Sequence, residues 1–278
     1  VTGRASIEDP EAGEQPSALF VRERGGYRPT SLSASPWSAG ALHGGPPAGL
    51  LAREIEGFAG GEGFVVVRVT MELLRPVPLD RLDVSAELRR PGRNVQLVEA
   101  TLRSPEHEVA RATGLRIRRS EVRLPREIAQ EGLSYPLPAE VAPNRRGPGP
   151  FLPGFHSDGV EHRFVRGSFT TPGPAIDWIR VKFPLVEGEP LSPLARACAA
   201  ADFGNGISGL LPGTHTYINP DLTVYLHRHP EGEWICLDSV THVHPTGIGL
   251  AESRLSDERG PIGRAVQSLI VAEKAVGR

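Results

Sequence analysis

Only two cysteines occur in the 278 residues, too few for a disulfide framework, so Cys198 and Cys236 read as buried, reduced side chains. No apolar run is long enough to cross a bilayer, and the N-terminal VTGRASIEDPEAGEQPS lacks the apolar centre of a secretory signal. No membrane insertion is therefore expected, and the cytoplasm is the expected location. Neither sign of charge is in excess, since the formal net charge is -2. The basic stretch RIRRSEVRLPR, Arg116 to Arg126, has no interleaved aromatic platforms, so it reads as a solvated strand edge entering a linker, and no nucleic-acid partner is expected. The G-x-S-x-G of a nucleophile elbow is absent, as are the G-x-x-x-x-G-K-[ST] and G-x-G-x-x-G loops of nucleotide sites.

What is present is strand periodicity. Tyr217 to Val271 contains four runs rich in β-branched, aromatic and aliphatic residues, separated by HPEGE, HPTGI and SDERGP. Leu222, Val224 and Leu226 alternate toward one face, while Glu252, Arg254 and Arg264 mark a wet opposite face, the pattern of an antiparallel meander covered on one side. The same pattern occurs earlier. At one constant offset Thr70 falls on Thr223, Leu73 on Leu226, Arg75 on Arg228, Glu99 on Glu252, Leu102 on Leu255, Arg111 on Arg264 and Ala112 on Ala265, which implies an internal duplication.

Each copy is preceded by two short strands and a helix. Ser17 to Arg22 and Gly26 to Thr30 flank a Gly-Gly turn in the first half. Pro46 and Pro47 then suit a helix entrance, Ala48, Leu51, Ala52 and Ile55 give its apolar face, and Gly57 with Gly60 and Gly61 ends it. Strands follow at Phe64 to Leu74, Leu82 to Leu88, Val95 to Arg103 and Glu108 to Arg118. In the second half Val160 to Phe169 and Ala175 to Lys182 precede a helix over Leu191 to Phe203, entered at Pro190 and Pro193 and left at Gly204 and Gly206. The expected organisation is a loose tail (1–16), a first domain (17–119), a Pro/Gly-rich linker (120–154) laid against the protein, and a second domain (155–278). One turn of helix is expected in the linker at Arg126 to Glu131.

Among the histidines, His227 with His229 and His242 with His244 could each project together from a strand. No cysteine or acidic spacing completes a standard metal motif, so no metal is expected.

The motifs ADFGN, INPDLTVYLHR, GEWICLDS and GPIGRAVQSLIV in the second half, with GALHGGPPAGLLAR in the first, resemble those of the TesB-like acyl-CoA thioesterases. The resemblance runs from about Ser17 to the C-terminus and is weakest in the linker. It implies an α+β tandem (double) hotdog, in which two β-sheets join into one continuous antiparallel sheet and each half wraps a central helix. It also implies an acyl-CoA substrate, no cofactor, and a possible homo-oligomer, dimer or tetramer. By position, the family's water-holding Asp, Thr or Ser, and Gln become Asp202, Asn219 and Gln267. Asn219 departs from the usual hydroxyl. An amide can still donate and accept hydrogen bonds to orient water, although it cannot become an alkoxide. Each residue also has a structural reading: Asp202 as a helix terminator, Asn219 as an Asx turn before Pro220. Gln267 lies in an apolar strand, where burial without partners would be costly. His43, Gly44 and Gly45 at the first helix entrance, and the His227–Arg228 pair, are candidate substrate contacts. A hydratase or dehydratase of the same fold is the rival reading, and a non-catalytic acyl-thioester-binding protein is another.

Overall fold

The computed structural model describes residues 16–125, 128, 132–133, 135–144, 153–211 and 213–274. The chain runs β1 (Phe20–Glu23), β2 (Gly26–Pro29), α1 (Gly45–Gly57), β3 (Phe64–Leu73), β4 (Asp83–Arg90), β5 (Val95–Arg103) and β6 (Glu108–Arg118). It continues with β7 (Val160–Ser168), β8 (Thr171–Val181), α2 (Pro193–Ala201), α3 (Gly204–Ile207), β9 (His215–Ile218), β10 (Asp221–Leu226), β11 (Trp234–His244), β12 (Ile248–Asp257) and β13 (Gly260–Glu273). Among the described residues the principal sheet has 11 strands in the order β4-β5-β6-β3-β10-β13-β12-β11-β8-β7, with β9 also paired to β13, and every pairing is antiparallel. This is a double hotdog.

The halves join where β3 pairs with β10, and the register makes the join symmetric. Thr70 faces Thr223, with Oγ1 to Oγ1 at 3.3 Å, and Glu72–Asp221 on one side is matched by Arg68–Tyr225 on the other. Because the duplicated sequence aligns Thr70 with Thr223, a local two-fold axis passes through this pair. β3 has a bulge between Val66 and Arg68, while the corresponding stretch of the second half breaks outright at Asn219-Pro220, between β9 and β10. Pro220 has no N–H to continue the ladder. The strand foreseen from Tyr217 onward is therefore two.

The core lies between the sheet and the helices. Leu50, Leu51, Ala52 and Ile55 of α1 and Leu194, Ala195, Ala197 and Cys198 of α2 are all buried. Each fully buried Leu or Ile contributes on the order of 2 kcal/mol of transfer free energy. The helices touch through small residues: a Cβ on Gly45 would stand 2.6 Å from the Ala199 carbonyl oxygen, and one on Gly49 would stand 3.3 Å from that of Ala195. The contacts run in opposite senses, so the start of α1 meets the end of α2.

Three expectations change. The two halves are not copies at their N-termini, since β1 and β2 form a separate hairpin whereas β7 and β8 extend the main sheet. The backbone of the first hairpin is engaged by Pro184, Leu185 and Leu82 instead. The second helix ends earlier than Phe203, because the chain turns at Asp202 and Phe203 before α3. Arg116 is not solvated. It is 1% exposed and donates to the carbonyl oxygens of Ile55, Glu56 and Phe58, satisfying groups that the end of α1 leaves open. Among the described residues of the linker stretch, Leu133, Tyr135 and Val141 pack on Trp178, Trp234 and Cys236. The tail expected over 1–16, apart from Pro16, and most of the helical turn expected at Arg126 to Glu131 lie outside the described residues.

Candidate active site

α2 is capped by Ser192, whose hydroxyl accepts the Ala195 N–H at 3.1 Å, and opens with Pro193 in the first turn. Its run of small residues lets it lie close against α1 and carries Asp202, its C-terminal flanking residue, to the entrance of α1. There Gly44 is required by space: a Cβ would stand 2.7 Å from Asp202 Oδ2. The N-terminal end of the α1 dipole favours the carboxylate at this place. The room that two glycines make at the helix entrance is thus filled by the Asp202 carboxylate at Gly44, and by the Ala199 carbonyl and Phe155 at Gly45.

Three predicted residues meet at Asp202. Asn219 Nδ2 donates to Oδ1 at 2.9 Å, made possible because the strand break before Pro220 frees the side chain from a regular ladder. Gln267 Nε2 donates to Oδ1 at 3.3 Å and to the Asp202 carbonyl at 3.2 Å, and its Oε1 accepts the Asn205 N–H at 3.1 Å. His43 Nδ1 lies 3.0 Å from Oδ2 and 3.1 Å from the Gly45 nitrogen. A neutral ring accepts the Gly45 N–H there, and a protonated ring donates to the carboxylate. His43 is pinned by its own N–H to the Ser33 carbonyl and by rings of Phe203, Phe155 and Trp37, with centroids at 4.6, 5.3 and 5.7 Å. Asp202, Gln267 and His43 are buried, while Asn219 is half-buried and Trp37 is 66% exposed. The open rim of the cluster is therefore formed by Asn219 and Trp37.

The cluster has no polar counterpart in the first half. Gly114 occupies the position of Gln267 and Val66 that of Asn219, and a Cβ on Gly114 would fall 2.2 Å from Ile55 Cγ2. Ile55 fills against Gly114 the space that Asp202 takes against Gln267.

His227 and Arg228 are placed elsewhere in the fold's hydrogen-bonding scheme. His227 is exposed and its N–H bonds the Ile262 carbonyl. Arg228 grips Asp257 with both terminal nitrogens and also donates to the Gly260 carbonyl at 3.0 Å. Neither cysteine is a nucleophile candidate: both are free and buried, and burial pushes the Cys198 thiol up to about 12 and the Cys236 thiol higher still. Two surface clefts, of about 290 and 740 Å³, lie beside Arg22, Tyr27 and Glu54 and share no residue with the Asp202 cluster. Their charged groups already satisfy one another through Arg53, Glu54 and Glu189, so the polar convergence at Asp202 is the stronger mark of a site.

Sequence reasoning missed a second buried pair nearby. His162 Nδ1 lies 2.5 Å from Asp177 Oδ2, and Asp177 Oδ1 accepts the Arg163 N–H at 3.1 Å. Burial pushes the Asp177 carboxyl up, against the opposing pull of His162. His162 also packs edge-on against Phe203 at 4.9 Å, so His43 and His162 both touch that ring. The alternation of His162 with Phe164 on β7 was the available signal.

Residues 33–117 match the model of the acyl-CoA thioesterase N-terminal domain, and residues 137–271 match that of the acyl-CoA thioesterase C-terminal domain. Similar solved structures include a protein described as a thioesterase II from Thermobifida fusca, at 19% identity and TM-score 0.72, covering 92% of this chain and 96% of that one. A hot dog fold protein of unknown function from Alicyclobacillus acidocaldarius aligns at 16% identity and TM-score 0.71, covering 93% and 97%. The acyl-CoA thioesterase II TesB2 from Mycobacterium marinum aligns at 12% and 0.61, covering 90% and 94%. At these identities the likeness is one of fold. No curated protein matches the chain in sequence.

Proposed function

Because this chain belongs to the acyl-CoA thioesterase family, we propose that it hydrolyses an acyl-CoA thioester to the free acid and CoA by direct attack of water beside Asp202. The observation that carries this reading is the convergence of Asn219, Gln267 and His43 on one buried carboxylate. A carboxylate offers about four lone-pair sites; Asn219 and Gln267 both donate to Oδ1, so acceptor capacity remains for a water molecule. Asp202 takes a proton from that water as its oxygen adds to the thioester carbonyl; collapse of the tetrahedral adduct expels CoA thiolate, which recovers the proton. Asn219, on the open rim, holds Asp202 through Nδ2 and orients the water through Oδ1. Gln267 and His43 hold Asp202 in place. A cytoplasmic setting belongs to the same proposal; no helix among the described residues is long and apolar enough to cross a membrane.

The test is free-thiol release from purified protein across a panel of saturated acyl-CoA substrates. Release from at least one supports the hydrolase. Hydration of an enoyl-CoA with its thioester intact, with no thiol from saturated substrates, would replace it by the hydratase reading. Binding without either reaction would leave a non-catalytic acyl-CoA binder.

A further inference from the structure

His162 and Asp177 take no part in the chemistry above, and their arrangement is that of a ligand-binding group. They are diagonal neighbours across β7 and β8, since His162 pairs with Ile179 and Phe164 with Asp177, and both point to the helix side of the sheet. His162 is 5% exposed and Asp177 is 0% exposed. Nδ1 is anchored, yet Nε2 is buried and has no hydrogen-bond partner among the described residues. A buried polar atom without a hydrogen-bond partner is destabilising, so an idle Nε2 is a poor structural device. Around it stand Phe203 at 4.9 Å, Phe169 at 4.9 Å and Phe164 at 6.1 Å between ring centroids. An apolar wall with one fixed polar atom is how a site reads a single heteroatom on an otherwise hydrocarbon ligand.

We propose that His162, held by Asp177, hydrogen-bonds an oxygen atom carried on the acyl chain, so that the substrates are hydroxyacyl or oxoacyl thioesters. The inference rests on the thioesterase reading for the nature of the ligand. Phe203 supplies the link: it follows Asp202 in the chain, His43 packs on it, and His162 packs on it as well. A thioester carbonyl at Asp202 therefore places the following carbons of the acyl chain one ring away from Nε2. The direction of the hydrogen bond depends on where the protons of the pair sit. With Nε2 protonated the ring donates, and a hydroxyl or carbonyl oxygen accepts; with the proton on Nδ1 of a neutral ring Nε2 accepts, and only a hydroxyl can serve. A methylene serves in neither case.

The test uses S-alkyl-CoA thioethers, which cannot be hydrolysed, with dissociation constants measured by calorimetry on the full chain. One series carries no substituent, and matched series carry a hydroxyl or an oxo group at successive chain carbons. The wild-type protein should bind one substituted position about tenfold tighter than the plain thioether of equal length. The His162→Phe/Asp177→Leu double variant, which replaces both polar partners by apolar groups of similar size, should lose that preference and bind the plain series within about threefold of wild type. Equal affinity for plain and substituted thioethers at every position, or an undiminished preference in the double variant, overturns the inference. The wild-type series decides alone if the double variant fails to fold. Thiol release is read separately, so loss of the hydrolase reading with the binding preference intact is a distinct result from loss of the preference with hydrolysis intact.

Discussion

His43 Nδ1 stands 3.0 Å from Asp202 Oδ2, and the two residues come from different halves of the duplicated chain. Neither half can make this contact alone. It depends on the close approach of α1 and α2 through Gly45, Gly49, Ala195 and Ala199, which sets the entrance of one helix against the exit of the other. The two halves differ here: the second carries the polar cluster, and the first closes the corresponding space with Ile55 against Gly114.

Gly44→Ala tests that approach. The added methyl would meet both oxygens of Asp202 at under 3 Å and push the carboxylate from its donors. kcat/KM for thiol release should fall at least about tenfold, with an overpacking cost of about 1–3 kcal/mol in urea unfolding. Gly57→Ala is the control, because a Cβ there meets nothing within 4 Å, and it should leave activity unchanged.

Asn219 stands in the proposed site where the family resemblance implies a hydroxyl residue. Asn219→Asp replaces the Nδ2 donor by an acceptor and sets a second carboxylate against Asp202, raising the pKa of one of them by like-charge repulsion. The expected loss is about 2–4 kcal/mol in transition-state stabilisation from kcat/KM, whereas Asn219→Thr should retain measurable turnover. Equal kcat/KM for wild type and Asn219→Asp would return Asn219 to the role of a turn residue before Pro220.

Acid sensitivity should trace to Asp257. Burial by itself would raise this carboxyl, but the Arg228 guanidinium and the amides of Glu231 and Arg259 overcome it and hold Asp257 below the usual carboxylate range. A depressed folded pKa stabilises fully above the unfolded value near 4, and the contribution is lost as pH falls through the folded value. Melting temperature should therefore drop below about pH 4. Asp257→Asn should remove this component while costing about 3 kcal/mol at pH 7, as expected when one member of a buried pair is removed. An unchanged acid limb in that variant would assign the sensitivity to other carboxylates.

What the sequence made legible was local. Pro46 and Pro47 with the glycines from Gly57 onward mark the ends of α1, and the strand alternation located β3 to β6 and β10 to β13 within four residues at each end. Gln267 could be singled out because an amide in an apolar strand demands partners. Other contacts were hidden because they join elements far apart. The His43–Asp202 contact requires knowing which faces of α1 and α2 meet, and the His162–Asp177 pair requires the register of β7 on β8, which shifts at Phe164/Arg166. Arg116 misled for another reason. It stands in a basic run, but it continues the buried alternation of Ala110, Ala112 and Gly114, and that period was the better guide to its position.

The most direct measurement is kcat/KM for thiol release from one good acyl-CoA substrate by wild type and by Asp202→Asn, each with its melting temperature. If Asp202 is the base, the Asn variant loses at least about 3 kcal/mol of transition-state stabilisation, a hundredfold or more in kcat/KM, while melting within a few degrees of wild type. Thiol release by Asp202→Asn at the wild-type rate would contradict the account.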